Sequence, residues 1–409
     1  MSTDRTDPYE SLRYPDFRWL LVASTFAFVA GQIQSLVLGW QVYARTHDPL
    51  SLGWIGLSEA IPFLVLALAG GWAADRWNRK SLSIVAVAFS FVGALLLVAL
   101  THIPSHTVIW HFYAIQSLAG ISRALARPSM QALGTDLVPR DVYANAATWR
   151  SSCFHFSMVV GPALGGLLFA ALGAPFAYDI VAILFALALV SLNLVHYRRV
   201  QFARLPSPSS ALVAGVHFVF SNRLILSALS LDLFAVLFGG AVALLPAFAS
   251  DVLHVGPAGL GLLRTAPAVG AILMAFIIAH RRPSERSGRT LLWSVAAFGA
   301  TWILFAFSHN LALSVILLAL SGAFDNVSVI LRATLVQTQT SADMMGRVQA
   351  VNGFFIGSSN ELGAFESGLA ASLIGLVPSV IFGGCMTLVV VATVARLVPE
   401  LRRLTRIRA

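Results

Sequence analysis

The chain has 409 residues, of which 57% are hydrophobic and 11% are charged, and its mean hydropathy is +0.80. Soluble domains carry about 25% charged residues, so a chain this poor in charge cannot cover itself with a polar surface. The composition therefore excludes a soluble enzyme. Twelve helices of about 20 apolar residues would use about 240 residues, which this chain can supply.

Apolar runs separated by polar loops predict twelve membrane-spanning helices, numbered here as spans 1 to 12. The spans cover residues 17–44, 51–74, 80–101, 107–130, 142–171, 175–196, 224–250, 256–279, 290–308, 311–335, 345–375 and 378–396. The polar first 16 residues and the long first apolar run argue against a cleaved signal peptide. Span 1 is therefore expected to remain in the protein, and an even number of spans places both termini on one side.

The net charge of +9 indicates which side that is. Five basic residues lie inside spans or on the opposite side, namely Arg45, Arg123, Arg150, Arg264 and Arg332. The other 22 of the 27 cluster at the two termini and in alternate connections. Because Lys and Arg are retained on the cytoplasmic side, both termini are predicted to be cytoplasmic. The basic balance is then a topology signal, and a nucleic-acid partner is not expected.

The longest internal connection divides the predicted spans into two groups of six. It predicts an N-terminal bundle over residues 1–197, a cytoplasmic linker with an interfacial helix over 198–222, and a C-terminal bundle over 223–409. Gly173 aligns with Gly375 at an offset of 202 residues, so the halves repeat each other. Parallel repeats imply a pseudo-twofold axis along the membrane normal and a central cavity.

The loop between spans 2 and 3 reads Gly71-Trp-Ala-Ala-Asp75-Arg76-Trp-Asn78-Arg79-Lys80. It resembles the loop signature of the major facilitator superfamily, G-x-L-a-D-R-x-G-R-K. The resemblance implies an all-α integral membrane fold of two six-helix bundles. It also implies a conformational latch, in which Asp75 faces the N-terminus of span 11 and favours the outward-facing state. Asn78 replaces a glycine of the signature, and because Asn tolerates the left-handed backbone, a tight turn is expected there.

Two more superfamily signatures fall in spans 4 and 5, and the chain departs from the first and matches the second. Gln116 of span 4 occupies the position, four residues before Gly120, where the superfamily usually has an arginine tied to proton coupling. Span 5 contains Gly161-Pro162-x-x-Gly165, which resembles the glycine–proline signature typical of antiporters. The resemblance therefore favours export, while the usual proton-coupling residue is missing.

The whole chain looks like the branch that includes enterobactin exporters and related bacterial multidrug exporters. The resemblance is carried by Val138-Pro139-Arg140-Asp141 and Ala144-Asn145-Ala146, and by Leu335-Val-Gln337-Thr338-Gln339-Thr340 with Met345-Gly346-Arg347. It implies a monomeric transporter of the bacterial inner membrane that exports a small amphipathic compound, a siderophore or drug. Alternating access driven by the proton gradient is expected. A lipid or lysophospholipid flippase, an importer or uniporter, and a non-transporting sensor remain alternatives.

Three absences limit the chemistry. The chain has no G-x-x-x-x-G-K-[ST] loop for ATP and no G-x-S-x-G elbow of a hydrolase. Neither direct use of ATP nor hydrolase activity is therefore expected. His102 and His106 have the spacing of metal ligands, but Pro104 between them argues against one helical face. No metal and no cofactor are predicted.

Charges inside spans cost about 2.5–3.5 kcal/mol each on insertion scales, so they are expected to face a cavity or a partner. Glu59, Arg264 and Glu366 lie about 12–13 Å below the predicted outer ends of their spans. This shared depth predicts an outer-half proton or gating cluster, with ion pairs that only stabilise packing as the alternative. Glu361 and Asp232 are further coupling candidates, and Asp232 could instead balance a cationic substrate.

An inner charge network is predicted from Arg123, Asp325 and Arg332. Asp325 and Arg332 are two turns apart on one face of span 10, and Arg123 aligns with Asp325 at the repeat offset. Charges that snorkel singly to the interface are the alternative.

Rings and neutral amides on spans 1, 4, 7 and 11 predict the wall of a substrate cavity. A mixed wall of this kind suits large amphipathic ligands better than a small sugar or a bare ion. The candidates are Phe26, Gln32, Gln34, Tyr113, Gln116, Phe234, Phe238, Asn352, Phe355 and Asn360.

Overall fold

The computed structural model describes residues 7–102, 108–197, 208–239, 241–280, 286–341 and 344–405. Over these ranges the chain is helical and forms no β-strand. The helices are α1 (Pro15–Thr46), α2 (Pro49–Arg76), α3 (Arg79–His102), α4 (Ile109–Asp136), α5 (Tyr143–Leu194), α6 (Pro208–Ser221), α7 (Arg223–Gly239), α8 (Leu245–Ala247), α9 (Pro257–Ala279), α10 (Ser287–Ala306), α11 (Leu311–Gln339), α12 (Met345–Ile374), α13 (Leu376–Leu397) and α14 (Pro399–Arg403).

Nine helical stretches of the described chain are long and apolar enough to cross a membrane. One of these stretches contains α5, which holds the predicted spans 5 and 6 together. The predicted spans 4 and 11 correspond to α4 and α12, of 28 and 30 residues. Both are long enough to span a bilayer, but polar and charged side chains lower their hydropathy. These two helices carry much of the predicted site.

Two glycines turn the chain with a left-handed backbone. Gly173 has φ 80° inside α5 and separates spans 5 and 6, and Gly375 has φ 94° between α12 and α13. The sequence repeat aligns these two positions. Because side chains are strained at such φ values, both turns require glycine, and the repeat extends to backbone geometry.

The predicted span 7 is not one regular helix. The helix α7 ends at Gly239, a 3₁₀ turn follows at Ala241–Leu244, and α8 leads into a π-helical turn at Phe248–Val252. Adjacent glycines at 239 and 240 weaken a helix, and Pro246 supplies no backbone donor. The span therefore extends to Val252 in short, irregular pieces.

Packing divides the chain into two compact units, one of Met1–Leu38 and Ser58–Arg204, the other of Gly39–Leu57 and Leu205–Ala409. The division expected from the sequence differs at Gly39–Leu57, the tip of the α1–α2 hairpin. In the second unit the Trp54 and Phe365 rings pack with centroids 5.3 Å apart. A Cβ on Gly53 would lie 3.2 Å from the Phe365 carbonyl, so glycine lets the tip lie directly on α12.

Within the predicted linker, Pro208–Ser221 form the helix α6, which belongs to the second unit. It lies against the start of α12, where a Cβ on Gly215 would come within 2.9 Å of the Arg347 carbonyl oxygen. Val219 of α6 is fully buried together with Ile225 and Val348. The helix is therefore packed on the bundle rather than lying alone at the interface. Residues 198–207 of the predicted linker lie outside the described residues.

Apolar side chains on the outer faces of the bundles indicate contact with lipid. On α10, Trp293 leaves 75% of its surface exposed, whereas Trp302 on the same helix is 2% exposed and packs against Phe305. A helix with one buried and one exposed aromatic face needs an apolar solvent on its outer side.

Candidate functional site

The first unit contains an ion site between α2 and α4. The Gln116 amide donates from Nε2 to Glu59 Oε2 at 2.6 Å, and the Arg123 guanidinium lies 2.9 Å from Glu59 Oε1. The side chain of Glu59 is 18% exposed and that of Arg123 37%. Both carboxylate oxygens of Glu59 are therefore held, one by an amide and the other by a cation.

Close helix approach positions this site. A Cβ on Gly120 would collide with the backbone carbonyl of Glu59, so only glycine lets α4 touch α2 at this level. The Arg123 guanidinium lies 4.6 Å from the centre of the Phe63 ring, an arrangement favourable for a cation–π contact. Helix α4 thus presents Gln116, Gly120 and Arg123 to α2 at helical spacing.

The sequence predicts Glu59 and Arg123 in different clusters, and the structure pairs them. Glu59 lies about 15 Å from the start of α2 and Arg123 about 21 Å from the start of α4. The long arginine side chain bridges this difference in depth. Gln116 is neutral and cannot supply the positive charge of the superfamily arginine. Arg123, two turns further along α4, supplies a positive charge to Glu59, the carboxylate that Gln116 also contacts.

The second unit contains a more deeply buried ion site between α7 and α11. Asp232 of α7 and Arg332 of α11 form an ion pair, and their side chains are only 10% and 5% exposed. Asp325, two turns before Arg332, is partly buried, and both Asp232 and Arg332 act on it electrostatically. Two members of the predicted inner network, Asp325 and Arg332, thus lie at this site together with Asp232.

The remaining coupling candidates lie elsewhere. The Glu366 carboxylate is 3.5 Å from the Ser367 hydroxyl on α12, and Glu361 is a partly buried residue of the same helix. The Arg264 guanidinium on α9 lies 3.8 Å from the position of a Cβ on Gly39. The outer cluster of Glu59, Arg264 and Glu366 stays a prediction.

In the loop after α2, Asn78 begins a helix instead of making a left-handed turn. Its side-chain oxygen accepts a hydrogen bond from the Ser81 amide at 3.1 Å, the geometry of an N-cap for α3. Among the described non-glycine residues, only His47 and His254 have positive φ. The expected tight turn does form, because only residues 77 and 78 separate α2 from α3. The left-handed backbone expected at Asn78 was wrong, since this residue caps α3 instead.

The same loop is tied to α4 through Asp136, a residue that the sequence did not predict as part of a site. Arg79 forms an ion pair with Asp136 at 2.6 Å, and the Tyr197 hydroxyl donates to the other Asp136 oxygen at 2.7 Å. Lys80 donates to the Asn193 carbonyl oxygen at 2.8 Å. The acid at the end of α4, directly opposite a cationic loop, was the signal available in the sequence.

Asp75, the predicted latch residue, lies at the end of α2, beyond the apolar span, where its surface is partly exposed and partly covered by the chain. Gly71 and Arg76 belong to the last turns of the same helix. Partial burial raises the pKa of the Asp75 carboxyl above its ordinary value, and the Arg79 charge partly opposes that shift. Arg76 lies 4.8 Å from the centre of the Trp72 ring. Within the first unit, Asp75 therefore has weaker electrostatic compensation than Asp136.

The antiporter-like segment packs α5 onto α1. A Cβ on Gly161 would collide with the Gln32 side chain, and a Cβ on Gly165 would lie 3.2 Å from the Ile33 Cα. Pro162 is buried beside them. Gln32 donates to the sulfur of Met158 at 3.2 Å. The glycines thus bring α5 against a predicted cavity residue.

The other cavity candidates differ in burial and bonding. Gln34 and Gln116 are each 5% exposed, and their side-chain oxygens accept no hydrogen bond among the described residues. Phe234 and Phe238 stack with ring centroids 6.3 Å apart. The rest are placed as follows: Phe26, Tyr113, Asn352 and Phe355 are partly buried, and Asn360 is exposed.

Outside these groups, a cavity of about 450 Å³ lies where α6 meets α7 and α14. It is lined by Phe218, Ser221, Asn222, Arg223, Leu224 and Glu400. None of the predicted site residues lines it. In the described residues no cluster of His, Cys, Asp and Glu could hold a metal ion.

The chain resembles known proteins over nearly its whole length. A family model described as transmembrane secretion effector matches residues 6–406. The enterobactin exporter EntS of Salmonella typhimurium is 27% identical over 385 residues, covering 92% of each chain. The EntS protein of Citrobacter koseri is 28% identical over 389 residues, covering 90% of each chain.

Solved structures resemble the fold at much lower identity. An auto-inhibited POT family peptide transporter superimposes with a TM-score of 0.76 at 13% identity, covering 96% of this chain and 98% of its own. A bacterial homologue of the human lysosomal transporter Spinster, inward-facing and occupied, gives 0.73 at 14%, covering 97% and 99%. The nucleoside transporter NupG gives 0.72 at 13%, covering 94% and 100%.

Proposed function

Because this chain belongs to the transmembrane secretion effector family, within the major facilitator superfamily of α-helical membrane transporters, we propose that it exports a siderophore-like organic compound. The observation that carries this proposal is the match to enterobactin exporters over 92% of both chains. The antiporter-like packing of α5 on α1 at Gly161 and Gly165 supports the direction of transport.

The buried amides support the chemistry of the substrate. The side-chain oxygens of Gln34 and Gln116 are buried acceptors without a donor among the described residues. A buried acceptor left unsatisfied costs about 1–3 kcal/mol, which a substrate that carries hydroxyl or amide donors would recover. An iron-free catecholate siderophore carries both kinds of donor, together with rings that suit Phe234 and Phe238. This chemistry favours an amphipathic, donor-rich substrate over a purely apolar one.

The energetics and placement form the second part of the proposal. The protein works as a monomer in the bacterial inner membrane, with both termini cytoplasmic, and moves its substrate by alternating access in exchange for protons. It is not an enzyme, and it uses the proton gradient rather than a bound cofactor. Asp75 and its loop, Arg76, Asn78, Arg79 and Lys80, act as the conformational latch.

The test is transport by the full chain in proteoliposomes. Iron-free enterobactin is supplied as the probe, and an imposed proton gradient is compared with a gradient collapsed by a protonophore. We expect concentrative transport only with the gradient. Gln34→Met should raise KM for enterobactin several-fold, because it removes a buried acceptor. Ser24→Ala is the matched control on α1, because the Ser24 hydroxyl already bonds to the Leu20 carbonyl at 2.8 Å.

Other results would assign the chain differently. Translocation of a fluorescent lysophospholipid without enterobactin transport would make it a flippase. Enterobactin movement unaffected by the proton gradient would make it a uniporter. Neither activity, together with an absence of alternating accessibility to thiol reagents, would contradict a transporter altogether.

A further inference from the structure

The buried ion site of the second unit holds one more acid than base. Asp232 and Arg332 balance each other as a nearly fully buried ion pair. Asp325 adds a second carboxyl within electrostatic reach of both. If all three groups were ionised, the site would carry a net negative charge inside a membrane-spanning bundle, where uncompensated charge is expensive. One proton on this site makes it neutral.

Among the described residues of the neighbouring helices, the basic side chains lie away from this site. Helix α11 packs against α7, α9 and α10. Arg223 and Arg289 lie in the first turns of α7 and α10. Arg264 of α9 lies about 10 Å from Asp325 along the bundle axis, counted at 1.5 Å per residue. Within the described part of the chain, Asp232 and Arg332 are the charged side chains placed to act on Asp325.

The direct ion pair separates the roles of the two acids. Asp232 is held by Arg332 and is almost fully enclosed, whereas no ion pair among the described residues involves Asp325. A proton on Asp232 would break its ion pair, and a proton on Asp325 would not. Asp325 is therefore the carboxyl that can gain and lose a proton while the pair stays intact.

We propose that Asp325, Asp232 and Arg332 form the proton-binding site of this transporter, with Asp325 as the proton carrier. This proposal rests on the proposed proton antiport. A hydronium ion transfers one proton to an Asp325 carboxylate oxygen and leaves as water, and no other bond changes. With Asp325 neutral, Arg332 is attracted by Asp232 alone and ties α11 to α7. With Asp325 ionised, Arg332 is shared between two acids and the tie between the helices weakens.

Two other carboxyls could carry the proton instead. Both oxygens of Glu59 are already held by Gln116 and Arg123, so a proton there would displace a charged contact. Glu366 lies at 3.5 Å from the Ser367 hydroxyl and is the stronger rival. Their neutral variants Glu59→Gln and Glu366→Gln are therefore the matched controls.

The direct test follows the proton by infrared difference spectroscopy of the full-length protein in lipid while the pH is raised. A protonated carboxylic acid gives its own carbonyl stretching band, which disappears on ionisation. We expect one such band of wild type to be missing from Asp325→Asn at every pH, and to be retained in Glu59→Gln and Glu366→Gln. Asp325→Glu should restore the band at a shifted frequency, which separates loss of the proton site from misfolding.

Each other outcome has a defined meaning. A band that persists in Asp325→Asn, or that disappears in Glu366→Gln, overturns the assignment to Asp325. If wild type shows the Asp325 band but does not couple enterobactin transport to the proton gradient, the proton site stands and the proposed antiport fails. If transport is proton-driven in wild type and equally so in Asp325→Asn, the antiport stands and this site fails.

Discussion

The two ion sites differ in charge balance and in burial. In the first unit, Glu59 faces one amide and one arginine, and the arginine side chain is 37% exposed. In the second unit, two acids share Arg332, whose side chain is 5% exposed. At the positions that the repeat aligns, α4 carries the cation Arg123 and α11 carries the acid Asp325.

This difference separates a site that joins helices from a site that can titrate. A balanced, partly solvated pair gains little from changing its protonation, so its main effect is to fix the contact of α2 with α4. A buried group of two acids and one base carries a net negative charge when all three are ionised. Binding one proton removes that charge and is therefore favourable. One repeated scaffold has thus placed a structural contact in one half and a candidate energy-coupling site in the other.

The largest expected effect comes from removing the cation of the buried site. Arg332→Ala leaves Asp232 and Asp325 without their partner and should lower the free energy of unfolding by about 3–5 kcal/mol. Arg289→Ala, at an exposed position in the same unit, is the control. Unfolding in mixed micelles measures both, and the apolar double variant Asp232→Leu with Arg332→Met should recover most of the loss. Equal stability of the two arginine variants would contradict the difference between the sites.

The contact that builds the first site should be the next most sensitive. Gly120→Ala places a Cβ against the Glu59 carbonyl, forces α4 away from α2, and should cost about 1–3 kcal/mol. Gly31→Ala is its control, because a Cβ there meets no atom within 4 Å. The same unfolding assay compares them. If both alanines were tolerated equally, close helix contact could not be what positions Glu59.

Removing the acid of the first site should have a smaller effect. Glu59→Gln keeps the shape of the side chain but loses the ion pair to the half-solvated Arg123, a loss of about 0.2–1 kcal/mol that salt should reduce. Unfolding at low and high ionic strength measures this, and proton-driven enterobactin transport should continue. A transport loss as large as that of Asp325→Asn would move the proton site to the first unit.

The sequence predicted the helices and turns better than the contacts between charged side chains. Gly173 and Gly375 were aligned by the repeat, and both take a positive φ, because a left-handed turn leaves a residue-type signature. Depth along a helix was also readable, at 1.5 Å per residue. The direction in which a side chain points around its helix depends on how neighbouring helices rotate against each other, and composition does not encode that rotation.

Particular residues show this limit. Glu59 and Arg123 differ by about 6 Å in depth, so depth alone assigned them to separate clusters, although an arginine side chain spans that difference. Asp136 was overlooked because an acid at a helix end is ordinary in sequence, and its partners Arg79 and Tyr197 are 57 and 61 residues away. Asn78 has two common uses, in a left-handed turn or as a helix cap, and only the backbone geometry chooses between them.

The smallest effect is expected at the loop acid, where no burial comparable to that of Asp232 is involved. Because partial burial raises the pKa of Asp75, the folded state binds its proton more tightly than the unfolded state. Its contribution to stability is therefore present below the ordinary carboxyl pKa and is lost as the pH rises through the raised value. Asp75→Asn should remove this loss of stability. A plot of Tm against pH should then be flatter at mildly acidic pH, and Tm at neutral pH should be slightly higher. The control is Asp141→Asn, because Asp141 is an exposed acid after α4. Identical profiles of Tm against pH for the two variants would show that the surroundings of Asp75 do not favour its neutral form.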